Sequence, residues 1–144
     1  MSLQIRKIRH TDPIFDQVYQ LRETILRLPI GLSLNNEDLS GDAEDDIFIA
    51  EEATQVVACL MRKPQPAGGA KLRQMAVAAA MQGRGIGRAL MLAAEEDARH
   101  CGIHKISLHA RKHVAGFYSS LGYQVVGSEF EEVGIPHLLM EKHL

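Results

Sequence analysis

The chain has 144 residues, 46% of them hydrophobic, and 16 basic against 18 acidic side chains leave a net charge of -2. That length suits one domain with one real core, and the near-neutral balance lacks the clustered basic face that nucleic acid requires. No run approaches the ~18 apolar residues of a membrane span. The opening MSLQIRKIRH also lacks the apolar core of a signal peptide, so a cytoplasmic protein without a membrane partner is expected.

Leu3 to Arg9 partly alternates apolar and polar side chains, which predicts a strand, and Asp12-Pro13 then reads as a helix cap with proline in the first turn. Ile14, Val18, Leu21, Ile25 and Leu28 recur at alternating spacings of four and three, so one amphipathic helix ending before Pro29 is expected. Asn35, Asn36 and Gly41 break the pattern between Gly31 and Asp46, which predicts a loop with room for a short helix. Within it Glu37, Asp38, Asp42, Glu44, Asp45 and Asp46 read first as solvated charges, and second as a local potential that attracts a cationic substrate.

Ile47–Glu51 and Gln55–Arg62 are β-rich runs that should pair as an antiparallel hairpin, followed by a loop from Lys63 to Gly69. Leu72–Val77 predicts a strand and Gly85–His100 a helix, its Ile86, Leu90, Ala94 and Ala98 repeating every four residues and Gly102 placed to end it. Lys105–Ala110 alternates again, a short helix is expected near Val114–Leu121 with Gly122 after it, and Tyr123–Val126 and His137–Glu141 complete the strands. Cys59 and Cys101 sit apart in apolar patterns, so both are expected to be buried thiols without a disulfide or a metal. The order predicts an α/β (α+β) fold in a single domain spanning 1–144, a mixed central sheet of about six to seven strands flanked by about four helices.

The chemistry concentrates where the strand ending Met75-Ala76-Val77 runs through Gln82-Gly83-Arg84-Gly85-Ile86-Gly87 into a helix. Amides at a helix start have no intrahelical acceptor and feel the positive end of the dipole, so glycines there let the backbone close on a phosphate. Arg84 and Arg88 add charge for the same anion. The dinucleotide fingerprint fails, because counting from Gly83 puts Arg88 in its last glycine position, and the mononucleotide pattern G-x-x-x-x-G-K-S/T is absent.

What fits is Q-x-x-G-x-G at Gln82, Gly85 and Gly87, which resembles the coenzyme A motif of the GNAT superfamily of N-acetyltransferases. Further on, Phe117-Tyr118-Ser119-Ser120-Leu121-Gly122-Tyr123 is similar to the F-Y-x-x-L-G-F/Y signature of the same family. The resemblance implies acetyl-CoA as cosubstrate, its pyrophosphate held by the amides of Gln82 to Gly87 and its pantetheine arm by the backbone of Met75 and Val77. It also implies that the strands containing 72–77 and 105–110 splay apart to admit that arm.

Acetyl transfer to an amine needs a neutral nucleophile, a stabilised oxyanion and a proton for the leaving sulfur. By the resemblance Tyr118 is the general acid, while His137, in Gly134-Ile135-Pro136-His137, borders the acceptor groove and is the first choice for a base. Glu51 and Glu23 are weaker choices, and His109 stands where relatives often carry an asparagine facing the cofactor. The resemblance also implies that Arg22 to Leu34 shapes the pocket where the acceptor, a small-molecule or peptide amine, is selected. A noncatalytic acyl-CoA-binding module is the competing reading. The strand at 137–144 is expected to lie at an edge, open to pairing across a homodimer.

Overall fold

Period-two patterning builds seven strands, and all seven join one sheet in the order β1-β2-β3-β4-β5-β7-β6. They are β1 (Leu3–Ile8), β2 (Asp46–Glu52), β3 (Gln55–Gln65), β4 (Gly69–Val77), β5 (Lys105–Arg111), β6 (Gln124–Glu132) and β7 (Ile135–His143). Three α-helices cover the faces: α1 (Phe15–Arg22), α2 (Ile86–His100) and α3 (Ala115–Ser120). The structure is a computed structural model and describes residues 2–144.

Every neighbouring pair is antiparallel except β4 with β5. Along β2 the alternation sends Ile47 and Ile49 to one face and Phe48 and Ala50 to the other, so the sheet has two cores. α2 packs Ile86, Leu90, Ala94 and Ala98 onto Phe48, Leu60, Leu72, Ile106 and Leu108. α1 packs Val18 against Ile8, Ile47, Ile49, Cys59 and Met61 on the opposite face. α2 stops as its sequence predicts: Gly102 is left-handed at φ +76, and the amides of Ile103 and Gly102 cap the carbonyls of Ala98 and Arg99.

Several expectations need correction. The first helix does not run on to Leu28; after Arg22 the chain widens into a π turn (Glu23–Arg27) and tightens into a 3-10 turn (Leu28–Ile30), leaving Leu28 57% exposed. Pro29 has no N–H and its ring clashes with the carbonyl four residues back, so a regular helix cannot be carried through it. The acidic stretch is solvated only in part, at Glu37, Asp38 and Glu44. Two 3-10 turns (Leu34–Asn36 and Ser40–Glu44) bury Asp42 and Asp45, where Asp42 takes Arg22 at 2.8 Å as well as Arg73, and Asp45 takes Arg73 at 2.8 Å and Lys63 at 2.9 Å.

Of the two thiols, Cys59 is buried but Cys101 is exposed, because it caps α2 beyond the last core-facing turn. The C-terminal strands are longer than their apolar runs. A two-residue turn at Val133-Gly134, both left-handed, joins β6 and β7 into a hairpin that reaches Glu132 and Ile135. β7 is consequently interior, between β5 and β6, and the sheet edges are β1 and β6 rather than 137–144. No helix among the described residues is long and apolar enough to cross a membrane.

Candidate active site

β4 and β5 pair only from Gly69 opposite Lys105 to Leu72 opposite Leu108, and beyond that point they diverge. The divergence begins at a bulge. Between Cys59–Ala76 and Met61–Arg73 the register against β3 slips by one, and Gln74 takes the extra position at φ +57. One inserted residue reverses the alternation of the strand. Leu72 faces α2 before the bulge, whereas Met75 and Val77 face α2 after it and Ala76 turns to the α1 core.

The bulge is held from outside the strand. Gln74 accepts from Arg22 Nε at 3.3 Å and its carbonyl accepts from the Cys59 thiol at 3.4 Å, while Arg22 is itself fully buried on Asp42. The Ala78 amide bonds Val57 of β3, so by strand alternation the amides of Met75 and Val77 point to the open side, where β5 no longer offers a partner. Val77's carbonyl is already taken by the Gln82 side chain at 3.0 Å. Gln82 thereby ties the glycine loop to the strand rather than facing a ligand with its side chain.

The loop itself is a cradle of backbone. Gly83 and Gly85 adopt φ +78 and +77, which an L side chain rarely tolerates, and the space where their Cβ atoms would sit is open. Gly85 caps α2 without a side chain, leaving the first-turn amides of Ile86, Gly87 and Arg88 free. Ile86 buries its side chain and contributes only its amide, while Arg84 and Arg88 are exposed around the rim. A Cβ on Gly87 would meet Phe117 at 3.6 Å and Val77 at 3.8 Å, so this glycine lets the start of α2 lie against the open end of β4. An anion set over donors of this kind, where β4 and β5 have parted, is well accommodated.

Tyr118 stands in α3 with its ring edge-on to Phe117 at 5.0 Å and to Tyr123 at 6.2 Å. Its hydroxyl has no hydrogen-bond partner among the described residues, unlike that of Tyr123, which donates to buried Glu95 at 2.8 Å. Burial pushes the Tyr118 phenol up to about 12, against the pull of Arg111. It is a protonated donor throughout the neutral range.

On the α1 side of the sheet lies a group of side chains that only the hairpin brings together. His137 pairs with Arg111 across β5–β7 and with Phe130 across β6–β7. It is buried and stacked on Phe130 at 5.9 Å, and its Nδ1 donates to the Ile135 carbonyl at 2.8 Å, which leaves Nε2 as the basic nitrogen, 3.7 Å from Glu132. His109, expected beside the cofactor, instead hydrogen-bonds the other oxygen of Glu132 at 2.9 Å. Burial opposes the charge on Glu132, but the His109 hydrogen bond and the charges of His109, His137 and Lys71 outweigh it and lower its pKa.

Glu23 and Glu51 are otherwise engaged. The Ser33 hydroxyl and the Leu34 amide, at 2.5 and 2.8 Å, hold Glu23 and lower its pKa, and Glu51 is paired with Arg6. Glu132 and Arg111 were not singled out by the sequence. The Val133-Gly134 turn was the signal that could have placed Glu132 beside His137. No group of three or more His, Cys, Asp and Glu side chains suited to a metal occurs among the described residues.

The family model described as "Acetyltransferase (GNAT) domain" matches residues 33–144. The chain belongs to the GNAT family of acetyltransferases. It is 29% identical over 128 residues to the Bacillus subtilis protein YyaT, covering 83% of this chain and 86% of that one. The crystal structure of Escherichia coli ElaA superposes with a TM-score of 0.86 at 20% identity over 98% of this chain and 99% of ElaA. A GNAT family acetyltransferase from Elizabethkingia anophelis, solved with acetyl-CoA bound, gives a TM-score of 0.75 at 17% identity over 99% and 98% of the two chains.

Proposed function

We propose that the protein transfers the acetyl group of acetyl-CoA to a primary amine by direct attack in a ternary complex. The observation that carries this reading is one conjunction: a glycine cradle of free amides lies where β4 and β5 have parted, and Tyr118, its hydroxyl unbonded, belongs to α3, whose Phe117 packs against the start of α2 at Gly87. The amides of residues 83–88 would hold the pyrophosphate, with Arg84 and Arg88 adding charge at the rim, and the open edge at Met75-Ala76-Val77 would take the pantetheine arm through the Met75 and Val77 amides.

An alkylammonium titrates near pKa ~10.4 and must lose a proton before it attacks. His137 Nε2, with Glu132 beside it, accepts that proton through water, since its imidazole is too buried for direct reach. The amine lone pair then forms the C–N bond, the carbonyl electrons become an oxyanion, and whichever of the Met75 and Val77 amides lies nearer the thioester turns to stabilise it. As the oxyanion collapses the C–S bond breaks and the sulfur receives a proton. Because Tyr118 titrates well above a thiol, it acts first as a hydrogen-bond donor to the departing sulfur, and the adjacent charge of Arg111 favours the transfer that follows. The second proton of the ammonium passes through water to restore the Tyr118 phenol, and His137 releases the first to solvent.

The test is release of free CoA thiol from acetyl-CoA across an amine panel, with Tyr118→Phe in parallel. Amine-dependent release that falls in Tyr118→Phe supports the reading. Tight acetyl-CoA binding with no product at any pH would make the protein an acyl-CoA-binding module.

A further inference from the structure

Arg111 closes β5 at the point where the strands have parted, opposite His137. Its side chain crosses to the α1 side, away from the glycine cradle, and Nη2 donates to the Leu26 carbonyl at 2.8 Å. Arg27 Nη1 reaches the same carbonyl at 3.3 Å. Two guanidinium groups therefore converge on one oxygen, and their counter-charges are unequal. Arg27 is neutralised by Glu37, which it meets through Nε at 2.6 Å and Nη2 at 3.3 Å. Arg111 has no carboxylate within salt-bridge distance among the described residues, and its other N–H groups have no protein acceptor there.

The nearest candidate to balance it, Glu132, is committed elsewhere, one oxygen on His109 and the other toward His137. A half-buried cation with four unused donors beside an active-site gap is costly to maintain unless something in the reaction pairs with it. Burial and the charge of Arg27 lower the pKa of Arg111, and the more distant charge of Glu132 offsets them only in part, so an incoming anion would relieve what the fold leaves unbalanced.

We infer that the acceptor amine also carries a carboxylate, which Arg111 binds through its free donors while His137 draws the proton of the ammonium end through water. The inference rests on the amine-transfer reading above and names its substrate class. A free α-amino acid meets both requirements, because one carbon bears the anion and the cation together. Guanidinium presents a planar fork that matches a carboxylate through two parallel hydrogen bonds, and a neutral amide in its place leaves the cation unpaired. The phosphates of CoA are not the missing partner, since the cradle that suits them opens at the start of α2 while Arg111 is tied to the end of the π turn after α1.

The experiment compares proteinogenic amino acids with their carboxamides, in two arms. One arm measures kcat/KM for acetyl transfer from acetyl-CoA; the other measures binding of the same compounds to the CoA-loaded protein. The free acids are expected to exceed their carboxamides roughly ten- to a hundredfold in both arms. Arg111→Gln should collapse that ratio toward unity and leave the affinity for acetyl-CoA unaltered. Arg111→Lys, which keeps the charge without the fork, should retain part of the ratio, and melting curves establish that both variants fold.

Carboxamides that bind and react as well as the acids would overturn the inference while leaving amine acetylation standing. So would an acid preference that survives in Arg111→Gln, or the absence of binding by any free acid. Free acids that bind through Arg111 yet are never acetylated would instead sustain the carboxylate site and overturn the transfer reading.

Discussion

The two sides of the sheet build their halves of the site in different materials. On the α2 side the cradle is backbone: Gly83, Gly85 and the first-turn amides of α2 lie consecutively in sequence, and their geometry follows from φ angles and a missing Cβ. On the α1 side the group around His137 is all side chain. Arg27 comes from the π turn, His109 and Arg111 from β5, Phe130 and Glu132 from β6 and His137 from β7. A backbone cradle can be shared by chains that agree in little else, whereas a side-chain pocket changes with any one of its contributors. On the proposed reading, the contrast separates what would bind the common cosubstrate from what would select the acceptor.

Substitutions should divide along the same line. The largest effect on turnover is expected from Tyr118→Phe, which keeps the packing on Phe117 and Tyr123 but removes the proton donor, lowering kcat about 10²- to 10⁴-fold. Burial raises the phenol to about 12, so the active protonated form persists as pH rises and is lost only near that value. The wild-type to Tyr118→Phe ratio should therefore be constant between about pH 7 and 10, and a ratio that falls across that range would assign Tyr118 another role.

Next comes Asp42→Ala. It strips the buried Arg22 guanidinium of its carboxylate and loosens the bulge at Gln74, with an expected loss of about 3–5 kcal/mol in chemical denaturation. Within the α1-side group, His137→Ala should lower kcat/KM for the amine more than the affinity for acetyl-CoA, and equal losses of both would erase the distinction between the two sides. The smallest effect is chemical. A disulfide reagent at about pH 8 should titrate Cys101 alone in the native protein and Cys59 only after unfolding, since burial pushes the Cys59 thiol up to about 12.

Legibility in the sequence follows the same division. Gln82–Gly87 and Phe117–Tyr123 are contiguous, so their chemistry can be read as words, and the splay of β4 from β5 followed from the family they resemble. Asp42 and Asp45 were misread because their partners Arg22, Arg73 and Lys63 are distant in the chain, and a run of acids carries no mark of which ones are buried. β6 was underestimated for a related reason. An edge strand solvated along most of its length shows no apolar alternation, so the expected strand stopped at Val126, and Glu132 stayed hidden beyond it. Arg111 was invisible as a functional residue because its distinction is the absence of a counter-ion, which only the assembled fold displays.

The central claim is that the turn from β4 into α2 is a coenzyme A cradle made of backbone. Calorimetric titration of acetyl-CoA into the wild type and into Gly85→Glu, with melting curves for both, tests it most directly. The account predicts saturable one-site binding to the wild type and its abolition in a folded Gly85→Glu, whose side chain would force an unfavourable φ and set a carboxylate where the pyrophosphate belongs. Absence of binding to the wild type, or equal binding to both proteins, would contradict it.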